Sequence, residues 1–349
     1  MLTRRGKAEP VVDQYSADEL QNAGRIKQIR MVAKLVNQQN KRALPITFGA
    51  AAGVIVIFVL VGLLTGTSFL PESRWFAVAA FGLSLGAVSF GLLASTFHLG
   101  RPERAWRAFS QWRTSWLSRE GVASVIVYLP AGLLALDWII RGQALAWLGW
   151  LTALLAAITV YCTAMIYASL KPIPRWHHPL VPVNYLLLGL MTGALLLQAL
   201  LALFGRLPAP VSWFTDVVLV VGLIAKLAYW RAIDRAPATS TAESATGLGA
   251  LGRVRLLEAP HTEDNYLMKE MGHSIARKHA GKLRRLAIGA GFLLPLLLSL
   301  LCPALPPLPG ALATVLAAVS GLCGVLLERW LFFAEAKHSV TLYYGAAAV

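Results

Sequence analysis

The chain has 349 residues, of which 57% are hydrophobic and only 14% are charged, and its mean hydropathy is +0.61. Soluble domains carry about 25% charged residues, and a soluble domain with this balance would expose large apolar patches. The composition therefore excludes a soluble globular domain and indicates a polytopic membrane protein. The net charge of +15 raises the class of nucleic-acid-binding proteins, but its distribution beside apolar segments argues against that class.

Residues 1–45 form a basic N-terminal extension ahead of the first apolar segment. Within it, residues 16–43 are predicted to form an amphipathic helix, because Ser16 and Glu19 make a capping-box pattern and apolar residues recur at helical spacing between lysines and arginines. Such a helix fits an interfacial position next to anionic lipid, or packing on a partner subunit. This extension contains no apolar stretch of the required length, so we expect no secretory signal.

Eight apolar segments are each long enough to cross a bilayer core, for which about 20 residues are needed. They do not alternate as the strands of a membrane barrel do, and backbone groups in lipid must pair within their own segment. We therefore predict an all-α polytopic membrane protein with eight transmembrane helices in a bundle. Pro295 interrupts the seventh segment. The predicted spans are 46–70, 75–97, 121–140, 144–170, 181–204, 211–230, 286–302 and 311–333.

This pattern divides the protein into helices 1–6 (46–230), a hydrophilic loop (231–285), helices 7–8 (286–333) and a C-terminal tail (334–349). The loop begins with an Ala/Thr/Ser/Gly-rich stretch that is typical of a linker, and a basic helix is expected at about 263–285. The glycines in "GLGALG" match G-x-G-x-x-G, but no predicted strand precedes them, so we reject a dinucleotide site. In the second span, Gly82 and Gly86 form G-x-x-x-G, which predicts close helix packing.

The basic residues are concentrated on one side of the predicted bundle. All but four of the 32 Lys and Arg residues lie in segments on the side of the N-terminus, and the exceptions are Arg74, Arg141, Arg206 and Lys226. The positive-inside rule then predicts that both termini are cytoplasmic. Basic loops that serve an anionic partner protein are the alternative, and they need not be cytoplasmic.

The segment "STFHLGRPERAWRAFSQWRTSWLSRE", residues 95–120, joins the second and third spans and is the main candidate for a functional site. His98 ends one span and Glu120 begins the next, so the two side chains can face one pocket. An imidazole that titrates near neutrality and a carboxylate at an apolar edge are suited to take protons from a lipophilic redox carrier such as a quinol. In the alternative, His98 bonds to backbone or headgroups, and Glu120 pairs with Arg119 or Arg113 or favours the helix start.

The same segment carries a cationic patch, for which we predict contact with a partner subunit or a phosphate rather than catalysis. Its members are Arg101, Arg104, Arg107 and Arg113. Three tryptophans of this segment fit an interfacial aromatic belt.

Several polar residues in or near the spans provide weaker signals. The three cysteines include no C-x-x-C pair, which argues against an iron–sulfur cluster or structural zinc in this chain, and we interpret them as packed structural thiols. His177 and His178 lack further ligands at metal spacing, and bis-histidine haem is poorly supported. Four charged residues near span ends are expected to extend to the interface: Asp137, Asp216, Lys226 and Glu328.

Several ordered stretches resemble the membrane-anchor subunit family of dimethyl sulfoxide (DMSO) reductase over roughly 46–345. They are "FHLGRPERAWRA", "SWLSRE", "MIYASLKPIPRW", "SATGLGALGRVRLLEAPHTEDNYLMKEM", "IARKHAGKLR" and "ERWLFFAEAKHSVTLYYG". The resemblance implies eight helices and no bound haem. It also implies a complex, in the bacterial plasma membrane, with a molybdopterin catalytic subunit and an iron–sulfur subunit, in which this chain oxidises menaquinol or ubiquinol. The family's H-L-G histidine corresponds to His98 and its S-x-E glutamate to Glu120.

Three alternatives stay open at this point. The protein could be the quinone-linked anchor of a different molybdoenzyme, acting on polysulfide, tetrathionate or formate. A small-molecule transporter would need inverted repeats and broken helices, for which Pro295 alone is weak support. A structural tether without a quinol site would tolerate replacement of His98 and Glu120.

Overall fold

The computed structural model describes residues 70–97, 102–255, 257–258, 277–346 and 348–349, and it describes no side chain at 94–97, 102 or 108. The predicted N-terminal helix, the predicted span 46–70 and most of the predicted basic helix 263–285 lie outside these residues. So do His98 and Arg101.

Throughout these ranges the regular secondary structure is helical, which confirms the predicted all-α class. Seven helical stretches are long and apolar enough to cross a membrane, and they correspond to seven of the eight predicted spans. In sequence order the helices are α1 (Arg74–Phe97), α2 (Trp116–Ile126), α3 (Tyr128–Arg141), α4 (Ala146–Ala168), α5 (Leu180–Leu203), α6 (Ala209–Arg235), α7 (Ala242–Thr246), α8 (Ala280–Ile288), α9 (Leu294–Leu301) and α10 (Pro307–Ala334).

Two of the spans are interrupted, each beside a proline. The span Trp116–Arg141 divides at Val127 into α2 and α3. Pro130 has no N–H for the carbonyl four residues earlier, and its ring crowds that turn. In the span Ala280–Ala304, a π-helical turn at Gly289–Leu293 separates α8 from α9 just before Pro295, and such turns relieve a local mismatch in the hydrogen-bond ladder.

Helix α5 is the centre of the bundle, with 61% of its most apolar window buried, and it contacts α1, α4, α6 and α10. Near the C-terminal end of α5, Trp138 of α3 packs edge-on to Phe81 of α1, with 6.1 Å between ring centroids. Near its N-terminal end, Tyr185 stacks on Tyr167 at 5.8 Å. Aromatic cores at both ends of α5 therefore hold the neighbouring helices around it.

A close helix contact lies between the last two described spans. A Cβ atom added to Gly324 would lie 2.1 Å from the Cα atom of Gly291, so the two backbones touch. Small residues therefore permit close packing of α8–α9 against α10. Beyond the nearby backbone of α1 itself, no described atom lies within 4 Å of a Cβ position at Gly82 or Gly86. The predicted span 46–70 lies outside the described residues, so close packing at this glycine pair stays a prediction.

The Ala/Thr/Ser/Gly-rich stretch that was predicted to be a linker contains a short helix, α7. Thr241 caps α7 through a capping box with Ser244, and Gly247 ends that helix with a φ of +71°. Val349 donates its N–H to the Ser240 carbonyl at 2.9 Å and accepts from the Thr239 N–H at 2.8 Å. The C-terminal residues thus bind the start of the loop, and the glycines serve as turn residues.

Candidate functional site

Glu120 lies one turn inside α2 and is half-buried. Its Oε1 atom accepts a hydrogen bond of 2.7 Å from the hydroxyl of Thr163 on α4. The Thr163 Oγ1 atom also lies 3.0 Å from the Thr159 carbonyl oxygen, the usual partner of a threonine in a helix. The carboxyl group is therefore held between two membrane helices by a neutral donor.

The arginine that precedes Glu120 points away from it. Arg119 donates from Nε to the Trp112 carbonyl at 3.0 Å and from Nη2 to the Arg113 carbonyl at 2.6 Å. Its guanidinium carbon lies 4.3 Å from the ring centroid of Trp116. No ion pair to Glu120 forms within the ranges the structure covers, so the alternative in which Arg119 or Arg113 neutralises Glu120 is wrong for these residues. A carboxyl of this kind can take up a proton without breaking an ion pair.

A short 3₁₀ helix, Pro102–Phe109, packs over the beginning of α2. A Cβ atom at Gly121 would lie 3.2 Å from a ring carbon of Phe109, so the absence of a side chain at Gly121 gives the ring its place. The connection between α1 and α2, predicted as a loop, is therefore partly helical and lies against the turn that carries Glu120.

Of the two predicted site residues, the structure describes Glu120 but not His98. Glu120 lies near the start of the span Trp116–Arg141, and α1 ends at Phe97, the residue directly before His98. Because His98 lies outside the described residues, a shared pocket for His98 and Glu120 stays a prediction.

The described members of the cationic patch are exposed and lie beside tryptophans. Arg104, Arg107 and Arg113 are all exposed. The guanidinium of Arg107 lies 5.6 Å from the ring centroid of Trp106, which is 64% exposed, and that of Arg113 lies 5.5 Å from Trp112. Exposed arginines and aromatic rings are common at protein interfaces, so partner docking remains our prediction for the cationic patch, whose fourth member, Arg101, lies outside the described residues.

The two adjacent histidines bond to the local backbone. The Nδ1 atom of His177 lies 2.6 Å from the Ala168 carbonyl, and Nδ1 of His178 accepts from the Leu180 N–H at 3.2 Å. His178 also packs edge-on to Tyr229 at 5.9 Å, and burial lowers its pKa. These contacts tie the 169–179 connection to α4, α5 and α6. Within the described ranges, no three His, Cys, Asp or Glu residues are grouped as a metal site requires.

The cysteines follow the predicted packing only in part. Cys162 and Cys302 are buried, whereas Cys323 is exposed on the surface of α10. The interpretation as packed thiols is wrong for Cys323, because its position on α10 faces away from the neighbouring helices of the described structure.

A buried ion cluster between α6 and α10 was not predicted from the sequence. Lys226 and Glu328 form an ion pair and are each 1% exposed, and Arg329 donates from Nε to the Glu328 Oε2 atom at 2.5 Å. The expectation that Lys226 and Glu328 extend to the interface is therefore wrong: they satisfy each other inside the bundle. The signal was available, since single charges of opposite sign on two spans are expected to pair.

Aromatic rings surround the two cations of this cluster. The Lys226 amino group lies 4.4 Å from the centroid of Tyr229 and 4.8 Å from that of Trp230. The Arg329 guanidinium lies 4.3 Å from the centroid of Tyr185. Cation–π contacts of desolvated groups are each worth up to about 2 kcal/mol, so the rings help to compensate the loss of hydration.

Known proteins resemble this one over most of its length. The family described as "DMSO reductase anchor subunit (DmsC)" matches residues 42–334. The C subunit of the sulfite dehydrogenase of Allochromatium vinosum is 34% identical over 318 residues, which is 86% of this chain and 96% of that protein. The C component of the anaerobic dimethyl sulfoxide reductase of Escherichia coli is 30% identical over 165 residues, 45% of this chain and 56% of that one. The YnfH component of an anaerobic dimethyl sulfoxide reductase from the same organism is 28% identical over 189 residues, 50% and 64% of the two proteins.

Proposed function

The chain belongs to the DMSO reductase anchor subunit family and is a multi-pass membrane anchor of a molybdoenzyme complex, and we propose that it also exchanges electrons with a quinone. In this proposal the electrons pass between the quinone and an iron–sulfur subunit, and substrate chemistry takes place in a molybdopterin subunit. The observation that carries it is the Glu120 carboxyl near the start of a span, which has a neutral hydrogen-bond donor and no cationic partner in the described part of the protein.

The proposed step keeps protons and electrons in balance. A quinol that becomes a quinone loses two electrons and two protons. The electrons leave one at a time to the iron–sulfur subunit, while the Glu120 carboxylate and the His98 imidazole each accept one hydroxyl proton. The protons then pass to the aqueous phase beside this end of the span, which returns both groups to their starting state.

The first candidate direction is the oxidation of menaquinol or ubiquinol for the reduction of an S- or N-oxide such as dimethyl sulfoxide. The second is the reverse direction, in which a substrate is oxidised and a quinone is reduced. The 34% identical relative, a sulfite dehydrogenase subunit, favours this second candidate. The same two residues serve both directions, because a proton acceptor in one is the proton donor in the other.

The proposal is tested on the complex purified from native membranes. We expect His98→Ala and Glu120→Gln to lower quinone-linked turnover by about 10²–10⁴-fold, the usual contribution of a positioned acid or base. Reduced viologen, which feeds the partner subunits directly, should support unchanged substrate reduction in both variants. Glu72→Gln, which alters an exposed carboxyl ahead of α1, is the matched control and should keep quinone-linked turnover.

Two further arms sharpen this experiment. Thr163→Val should raise the quinone KM, whereas Thr163→Ser should leave it near the native value, because the hydroxyl that serine keeps is the group that donates to the Glu120 carboxyl. Comparing turnover with quinol plus dimethyl sulfoxide against turnover with quinone plus sulfite decides the direction. Quinone-linked rates that stay unchanged in both His98→Ala and Glu120→Gln would refute the site and leave the anchoring role.

A further inference from the structure

Arg119, the residue directly before Glu120, ties the connection between α1 and α2 to the first turn of α2. It donates from Nε to the Trp112 carbonyl at 3.0 Å and from Nη2 to the Arg113 carbonyl at 2.6 Å. The planar guanidinium reaches both acceptors at once, a geometry that the single amino group of a lysine does not match. The end of the connection is therefore fixed to the helix position next to the candidate carboxyl.

The residue directly after Glu120 receives a second part of the same connection. A Cβ atom at Gly121 would lie 3.2 Å and 3.5 Å from two ring carbons of Phe109, which ends the 3₁₀ helix Pro102–Phe109. Both sequence neighbours of Glu120 thus contact the connection, while its carboxyl contacts α4 through Thr163. The turn that carries Glu120 is held from two sides.

Arg119 also supports an aromatic contact between α2 and α4. Its guanidinium carbon lies 4.3 Å from the ring centroid of Trp116, and Trp116 packs edge-on to Tyr161 of α4, with 6.0 Å between centroids. Trp116 lies one helical turn before Glu120. Near Glu120, the contact between α2 and α4 therefore includes Trp116 on Tyr161 and Glu120 on Thr163, and Arg119 packs against the first of these.

The role of Arg119 differs from that of the cationic patch on the same connection. Arg104, Arg107 and Arg113 are exposed, and partner docking is our prediction for them. Arg119 is only partly exposed, and both of its hydrogen bonds are to backbone carbonyls of the connection. These contacts fit a residue that holds the connection in place rather than one that meets a partner.

We propose that Arg119 is a positioning residue for the quinone reaction, which holds the α2 turn where Glu120 exchanges a proton. The inference rests on the proposed function of Glu120 and adds a residue to it. Because the Glu120 carboxyl accepts a hydrogen bond from Thr163 on another helix, a shift of the α2 backbone changes the geometry of that carboxyl. A shift of about 1 Å at a reacting group costs about 10²-fold in rate, so about half that shift should cost about tenfold.

The test uses the complex purified from native membranes through a tag on this chain. Each quinone-linked rate is divided by the viologen-linked turnover of the same sample, which counts assembled complexes. We expect Arg119→Gln to lower quinone-linked kcat/KM about tenfold and Arg119→Lys about threefold, since lysine keeps the cation but not the planar fork. Arg206→Gln alters an exposed arginine between α5 and α6. It is the matched control and should keep the native rate.

The second anchor and the solvent isotope effect sharpen this test. Phe109→Ala should also lower quinone-linked kcat/KM, and the double variant Phe109→Ala/Arg119→Gln should lose less than the product of the single losses, because both side chains hold one segment. In deuterated water, Arg119→Gln should show a larger isotope effect on kcat/KM than the native complex, because proton transfer to a displaced carboxylate is slower. A sample that is merely less folded keeps the native isotope effect.

Two results would overturn the inference: a native quinone-linked rate in Arg119→Gln, or a lowered rate with the native isotope effect. Loss of viologen-linked turnover from the tagged Arg119→Gln sample would also overturn it and assign the arginine to partner docking. Glu120→Gln, measured in parallel, separates the two levels of the argument. If Glu120→Gln keeps quinone-linked turnover, the proposed function fails; if it loses turnover while Arg119→Gln keeps it, the site stands and only the positioning role fails.

Discussion

Replacing Glu328 by glutamine tests the buried ion cluster most directly. In the native bundle Lys226 and Arg329 contribute two positive charges and Glu328 one negative charge, and all three side chains are at most 4% exposed. Glu328→Gln leaves two cations without a counter-ion inside the membrane. Breaking a buried pair from one side costs about 3–5 kcal/mol, which corresponds to roughly a 10²–10⁴-fold loss in the folding equilibrium constant.

The companion variants make the reasoning quantitative. Lys226→Met should cost less than Glu328→Gln, because Glu328 keeps its 2.5 Å bond from Arg329. The double variant Lys226→Met/Glu328→Gln restores a single net positive charge, so its loss should be smaller than the sum of the two single losses.

The assay is equilibrium unfolding in mixed detergent and SDS micelles, followed by tryptophan fluorescence, since Trp230 lies beside Lys226. Glu72→Gln, at an exposed position, is the control. If Glu328→Gln unfolded at the same SDS fraction as that control, or if the double variant showed full additivity, the electrostatic account of the cluster would be refuted.

Two further predictions concern packing and pH. Gly324→Leu should destabilise the protein by about 1–3 kcal/mol or more, because its Cβ would overlap the backbone of Gly291. Gly82→Ala, which meets no described atom beyond its own helix, should be close to neutral, and thermal unfolding compares the two variants. Burial lowers the pKa of His178 from 6.5, so its neutral form is favoured on folding and stability should fall as pH drops below about 6.5. His178→Gln should flatten the melting temperature between pH 8 and pH 5, whereas His177→Gln should not; identical pH profiles in both would contradict this assignment.

The membrane class and seven of the spans were predictable because a run of about 20 apolar residues, in a protein with only 14% charged residues, matches the thickness of a bilayer core. The boundaries were less predictable. The span expected to start at 286 begins at Ala280, since Arg284 meets Asp234 and Glu335 from other helices. Those ion pairs let a basic turn continue the helix, and no local pattern contains them.

The candidate site was likewise predictable only in part. Glu120 was identifiable as a carboxylate at an apolar edge, and the family motifs supported it. Its partner, Thr163, lies 43 positions later on α4, and nothing in the spacing between them predicts that contact. Arg119 was a possible partner only in the alternative interpretation, and the structure directs it towards the carbonyls of Trp112 and Arg113.

By itself, the sequence determined the environment, the helical class and the family of this protein, because apolar length, charge bias and ordered motifs are local properties of the polypeptide. Only the tertiary structure decided which charged groups meet. In the sequence, Lys226, Glu328 and Asp137 are all charged residues near the end of an apolar segment. Asp137 pairs at 2.6 Å with Arg141 on its own helix, whereas Lys226 and Glu328 lie buried together between α6 and α10. The difference is set by the rotation of each helix about its axis, which depends on the packing of the whole bundle.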